Sequence, residues 1–151
     1  MKKFTSTMLF VLLSFLFIAG SVNAQGKHGI IGKKFNKKEA NALFGKVIGS
    51  VKIKKADLIE ALTEAKDYVH FAVKNSRAYI LNEKRQSLLK REKSALRAEE
   101  KSHFFSKTVV EEFVNNSTAE EFTLEVRAGV LTVSDNFNTL EMSSICPPTC
   151  F

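Results

Sequence analysis

The stretch KKADLIEAL, Lys54–Leu62, leads into YVHFAVKNSRAYIL, Tyr68–Leu81, and the same order returns in SKTVVEEFV, Ser106–Val114, and EFTLEVRAGVLTV, Glu121–Val133. In the first segment Leu58, Ile59 and Leu62, with Ala61 and Ala65, recur at helical spacing, while Asp57, Glu60, Glu64 and Lys66 occupy the other side. After Asp67 the period changes to two: Val69, Phe71 and Val73 point one way, and Tyr68, His70 and Ala72 the other. Lys74–Arg77 reads as a turn, AYIL as the returning strand, and QSLL, Gln86–Leu89, as a short third strand. Val109, Val110, Phe113 and Val114 then restart the helical stripe, with Thr108 and Glu111 in capping-box spacing. Phe122, Leu124 and Val126 restart the strand period, Ala128–Gly129 turns, and VLTVS and TLEM complete a second meander.

The offsets between the two passages are 51 residues for Leu58 to Val109, 53 for Val69 to Phe122 and 52 for Leu81 to Val133. A helix with three antiparallel strands has one apolar face and cannot bury it alone, whereas two such units can bury theirs together. The expected fold class is therefore α+β. It consists of two strand-helix-meander (βαβββ) repeats, with antiparallel sheets packed on two helices and a short N-terminal helix. That helix, 37–44, is marked by Asn36 and Glu39 as a capping box and by Gly45 as its stop. The units span about 47–89 and 102–142. Between them lies the charged run KREKSALRAEEK, 90–101, expected as an exposed, protease-sensitive connector.

Two successive βαβββ units resemble one domain of the DNA sliding clamps, the ring-shaped processivity factors of replication. The resemblance runs from about Val47 to Met142. VKIKKADLIEAL and HFFSKTVVEEF carry it as strand-into-helix openings, and EFTLEVRAGVLTVSDNFNTLEM as the closing meander. It implies a fold of paired helices backed by sheets and, by extension, an association with nucleic acid. Clamps face the phosphates with Lys and Arg on those helices. Here the helices carry Asp57, Glu60, Glu64, Glu111 and Glu112, so no clamp residue is carried over and nucleic acid is not the expected partner.

The opening MKKFTSTMLFVLLSFLFIAGSVNA has the layout of a secretory signal peptide. Lys2 and Lys3 precede an apolar run, Met8–Ala19, and small residues end at Val22-Asn23-Ala24, which places the expected cut after Ala24. The run breaks at Gly20-Ser21, short of the roughly 20 residues a spanning helix needs, so no anchor is expected to remain. The expected organisation is a signal peptide, 1–24, a flexible basic lead-in, 25–36, and a single α+β domain, 37–151, in a secreted or periplasmic protein.

The 23 basic and 16 acidic side chains give a net charge of +7, unevenly spread. From Gln25 to Lys55 nine lysines face Glu39 alone, and from Thr108 onward Arg127 faces seven acids. Lys33, Lys34, Lys37 and Lys38 are the candidate contact to an anionic partner, an envelope component or a protein. The alternative reading of these lysines is a solvated, solubilising face. Cys146 and Cys150, in CPPTCF, are read as a local disulfide pinning the C-terminus. Their spacing suits neither a thioredoxin-type motif nor, with His28, His70 and His103 scattered, a zinc site. No nucleophile elbow, metal-binding helix motif or phosphate loop appears, so a non-catalytic binding or structural role, with no cofactor, is expected. Sequons stand at Asn115 and Asn116, and free strand edges leave pairing between two copies open.

Overall fold

A computed structural model describes residues 29–91, 93 and 95–146; the expected signal peptide, the cut after Ala24, His28 and Cys150 lie outside them. The described chain is α+β, with three helices and nine strands in two antiparallel sheets. In order these are β1 (Lys33–Asn36), α1 (Lys37–Phe44), β2 (Gly49–Lys54), α2 (Lys55–Glu64), β3 (Tyr68–Lys74), β4 (Arg77–Leu81), β5 (Ser102–Ser106), α3 (Lys107–Asn115), β6 (Glu121–Val126), β7 (Leu131–Ser134), β8 (Asn138–Glu141) and β9 (Ser144–Cys146). The five-stranded sheet is ordered β1-β8-β7-β6-β2 and the four-stranded sheet β4-β3-β5-β9.

The repeats do not each keep their own sheet. β2, which leads into α2, pairs with β6 of the second unit, with Val51 opposite Leu124 and Ile53 opposite Phe122. β5, which leads into α3, pairs with β3 of the first unit, with Phe105 opposite Val69 and Phe104 opposite His70. Each unit therefore completes the other's sheet, and α2 packs beside α3. One core results. Leu58, Ala61 and Leu62 of α2 and Val110, Phe113 and Val114 of α3 meet Val69, Phe71, Ile80, Phe105, Phe122, Leu124, Val133 and Leu140 from the inner faces of both sheets. Phe71 lies edge-on to Phe105 at 5.9 Å, and Phe113 edge-on to Phe122 at 5.7 Å. Full burial of side chains of this kind contributes about 1.5–3 kcal/mol each.

Several local expectations change. Lys33–Asn36, expected as the end of a flexible lead-in, is strand β1 and pairs with β8 from Lys33–Glu141 to Asn36–Asn138. Just before it Ile31 exchanges bonds with β5, its N–H donating to Ser106 Oγ at 2.7 Å and its carbonyl accepting from the Ser106 N–H at 2.8 Å. QSLL makes only isolated bridges, Leu81–Ser87 and Gln86–Ala95, although Leu88 and Leu89 are buried in the main core. β9 was not expected at all. α3 begins at Lys107, with Ser106 at its N-cap and no side-chain cap bond, so the Thr108–Glu111 capping box is not formed. The connector is largely exposed, yet it is tethered along its length. Arg85, at φ 64°, donates to the carbonyls of Ala98, at 2.6 Å, and Glu100; Leu96 is buried; and Arg91 bonds Asp57 of α2 at 2.6 Å.

α1 lies on the side of the five-stranded sheet away from α2 and α3, against β1 and β8. Its capping box is formed as expected, with Glu39 N–H to Asn36 Oδ1 at 2.9 Å and Asn36 N–H to Glu39 Oε2 at 3.1 Å. Ala40, within the helix, is fully buried, and Phe44 meets Phe35 edge-on at 5.2 Å. The entry to β1 depends on Gly32, where φ is +112° and a Cβ would stand 2.9 Å from Phe105 Cδ1 and 3.2 Å from Val109 Cγ1. Gly32→Ala is accordingly expected to cost about 1–3 kcal/mol, from overpacking and the disfavoured φ together. Urea unfolding of the variant against the parent checks this; an unchanged midpoint would contradict it.

Candidate functional site

The four candidate lysines are distributed by the alternation of β1 and the turn of α1. Lys33 and Lys34 are adjacent on a strand and so point to opposite faces. Lys34 goes to the inner side, lining a cleft of about 190 Å³ with Gly32, Val109, Glu112, Phe113 and Leu140. Lys33 goes to the outer side, its ammonium 5.4 Å from the Phe35 ring centroid, and Lys37 and Lys38 occupy the first turn of α1 beside it. The structure thus leaves Lys33, Lys37 and Lys38 on the α1 side, separates Lys34 from them, and places Lys46 in the loop after α1. Lysines in a first helical turn oppose the helix dipole, which the Asn36–Glu39 box offsets. Among the described residues none of Lys33, Lys37, Lys38 and Lys46 forms an ion pair. Three of the five acids on the helical side are paired: Asp57 with Arg91, Glu64 with Lys90 at 3.2 Å, and Glu111 with Lys107 at 3.5 Å.

Beneath α1 the outer face of the five-stranded sheet is polar and buried. Register places Glu125, Thr132 and Glu141 in one row across β6, β7 and β8, ending at Lys33 on β1. Arg127 Nη2 bonds Glu125 Oε2 at 2.7 Å, with the two side chains 1% and 9% exposed. Arg127 Nη1 reaches Asn41 Oδ1 at 2.8 Å and the Gly45 carbonyl, so one guanidinium joins the end of β6 to the C-terminal end of α1. Thr132 Oγ1 lies 3.3 Å from Glu125 Oε2, and Ser134 and Thr139 bond each other at 3.0 Å. Burial raises the Glu141 carboxyl above its ordinary range, against the Met142 N–H and the Arg127 charge. Sequence reasoning did not find this cluster. Its signal was there in EVR, since opposite charges two apart on a strand share a face.

The two described histidines are packed into the fold. His70 is fully buried, with Nδ1 3.1 Å from Ser102 Oγ and its ring stacked on Phe104 at 5.0 Å. Burial lowers its pKa to about 4, with Glu83 acting upward and Arg85 downward. His103 lies 3.0 Å from Ser143 Oγ and is also lowered to about 4, by burial and then Lys101. Cys146 ends β9 fully buried, where its carbonyl faces Ser102 Oγ at 3.5 Å; Cys150 lies outside the described residues.

Among the described residues no group of three or more His, Cys, Asp and Glu could hold a metal ion, and no helix is long and apolar enough to cross a membrane. No protein-family model, curated protein or solved structure matches the chain.

Two outcomes test these geometries. Arg127→Leu strands Glu125 in a buried site and is expected to cost about 3–5 kcal/mol in urea unfolding. Arg127→Leu with Glu125→Leu should regain at least half of that, because removing both charges removes the unpaired one. For His70 the folded pKa lies below the unfolded 6.5, so only the unfolded state takes up the proton as pH falls from 6.5 towards 4. The His70 contribution is therefore complete above pH 6.5 and declines by about 3 kcal/mol across that window. Because His103 is lowered into the same window, His70→Gln should reduce the slope of the stability–pH curve between pH 6.5 and 4 by about half, measured by denaturant titration at several pH values. An unaltered slope would mean that the burial of His70 is not what the curve reports.

Proposed function

We propose that this protein is exported and acts as a non-catalytic binding protein of the cell envelope or exterior, contacting an anionic partner through the α1 side of the five-stranded sheet. The observation that carries this is the unequal treatment of its charges. Among the described residues Lys33, Lys37, Lys38 and Lys46 have no ion pair, whereas Lys52 and Arg127 on the same sheet face pair with Glu121 and Glu125, and Lys90, Arg91 and Lys107 engage acids on the α2–α3 side. Two of those lysines sit where the helix dipole disfavours them, a cost of about 0.3–1 kcal/mol each that folding alone does not require.

The polar groups beneath support a scaffolding reading over a catalytic one. Arg127 is engaged by Glu125, Asn41 and Gly45, and His70 is neutral at pH 7 and stacked in the fold. A role on duplex DNA through the helices is disfavoured by electrostatics, since Asp57, Glu60, Glu64, Glu111 and Glu112 all stand on α2 and α3. The local disulfide Cys146–Cys150 belongs to the same proposal, as a clasp on the chain end beside β9.

The test is an intact mass, without reductant, of the protein recovered from exported, envelope and cytoplasmic fractions of its host. The expected species is exported, begins at Gln25 and is two hydrogens lighter than its reduced form. Full-length reduced protein confined to the cytoplasm would overturn the proposal. Binding to dextran sulfate should also weaken steeply with added salt and be lost when Lys33, Lys37, Lys38 and Lys46 are changed together to Gln.

A further inference from the structure

We propose that the anionic partner is a lipid bilayer surface, on which the α1 side lies with Leu43, Ile48 and Phe137 in the interfacial layer and Lys33, Lys38 and Lys46 at the headgroup phosphates. This rests on the reading of that side as the contact surface and goes one step beyond it, because charge alone would suit any polyanion. The deciding feature is what stands between the lysines. Leu43 is 64% exposed, Ile48 73% and Phe137 72%.

Their placement follows from the backbone. The Lys37 N–H donates to the Phe137 carbonyl at 3.2 Å, which sets Phe137, in the β7–β8 turn, at the N-terminal end of α1. The Ile48 N–H donates to the Val126 carbonyl at 2.9 Å, and Arg127 holds the Gly45 carbonyl, which set the loop carrying Lys46 and Ile48 at the other end. Of the seven large apolar residues exposed in the described chain, five are in α1, in the loop after it, or in turns bounding the strands it covers: Leu43, Val47, Ile48, Phe137 and Met142. Ile30 and Ile59 lie elsewhere. Apolar side chains concentrated on the side whose lysines have no ion pair among the described residues are the composition of a surface that lies in a membrane interface.

Other polyanions fit this surface less well. A sulfated or phosphorylated polysaccharide offers the lysines counter-charges and offers Leu43 and Ile48 no apolar phase. A single strand of nucleic acid could stack a base on Phe137 but has nothing comparable for the two aliphatic side chains. An anionic bilayer accepts both sets: each lysine near its surface is worth about fivefold in affinity, and the apolar groups leave water for the acyl boundary. All three apolar side chains are too exposed to be needed for the core, so their replacement leaves the fold standing.

The experiment is co-sedimentation of the chain beginning at Gln25 with phosphatidylcholine vesicles, with and without phosphatidylglycerol, alongside dextran sulfate binding. The leader is left off because the apolar run Met8–Ala19 would insert into vesicles by itself and mask either variant. The expected result is that Leu43→Ser/Ile48→Ser/Phe137→Ser binds phosphatidylglycerol vesicles at least tenfold more weakly than the parent, by the loss of buried apolar area. Its affinity for dextran sulfate should be unchanged. Lys33→Gln/Lys38→Gln/Lys46→Gln should lose roughly 100-fold on the same vesicles, at about fivefold per lysine, and should also lose dextran sulfate.

If the apolar variant binds vesicles like the parent while the lysine variant does not, the contact is with charge alone. The bilayer proposal is then overturned and the anionic-partner reading stands. The same holds if dextran sulfate or single-stranded nucleic acid binds and vesicles do not. If neither variant changes binding to any of them, both fall together.

Discussion

Everything in this molecule depends on the exchange of the two strands that precede its paired helices. β2 is hydrogen-bonded into the meander of the second unit and β5 into that of the first, so neither unit owns a complete sheet. The exchange sets α2 beside α3 and turns the inner faces of both sheets onto one core. It also leaves the five-stranded sheet with an outer face that the paired helices cannot reach. α1 covers that face, and the polar row of Glu125, Thr132 and Glu141 lies beneath it.

The two sides of the five-stranded sheet are consequently different environments built from alternating residues of the same strands. Phe122 and Leu124 face a dry core, where area removed from water supplies the stabilisation. Glu125 and Thr132, their neighbours in sequence and register, face a roof held by one guanidinium and a capped helix. A buried pair of this kind adds little net stability, because desolvation offsets most of its attraction. Its effect is on placement: Arg127 fixes where α1 ends, and the capping box at Asn36 fixes where it begins. The lysines and exposed apolar groups are thereby presented from a short helix with both ends specified.

Most of this was legible as elements and little of it as connections. The change from helical to strand period at Asp67, and its repetition after Asn116, located β3, β4, β6, β7 and both paired helices, because one buried face imposes a period on whatever covers it. The strand exchange left no such mark, since β2 has an apolar inner face whichever sheet it joins. β1 was missed because its four residues hold one half-buried apolar side chain, Phe35, too few to show a period. QSLL resembles a strand because Leu88 and Leu89 are indeed buried, but adjacent residues that both enter the core belong to a turn and not to a half-exposed strand. The basic lead-in was legible as charge. That Lys34 would part from Lys33 required knowing that a strand ran through them.

The crossed pairing also bears on the order in which the molecule can come into being. Lys52 finds Thr123, and Val69 finds Phe105, across long spans of intervening chain, so the contacts that close the core are among the most distant in sequence. Chains dominated by such contacts lose loop-closure entropy before any contact compensates it, and fold slowly. The first unit, once synthesised, has two edges waiting for strands that have not yet been made. Neither unit can close its sheet until the other's strands have been made, so the two halves of the chain come to rest together.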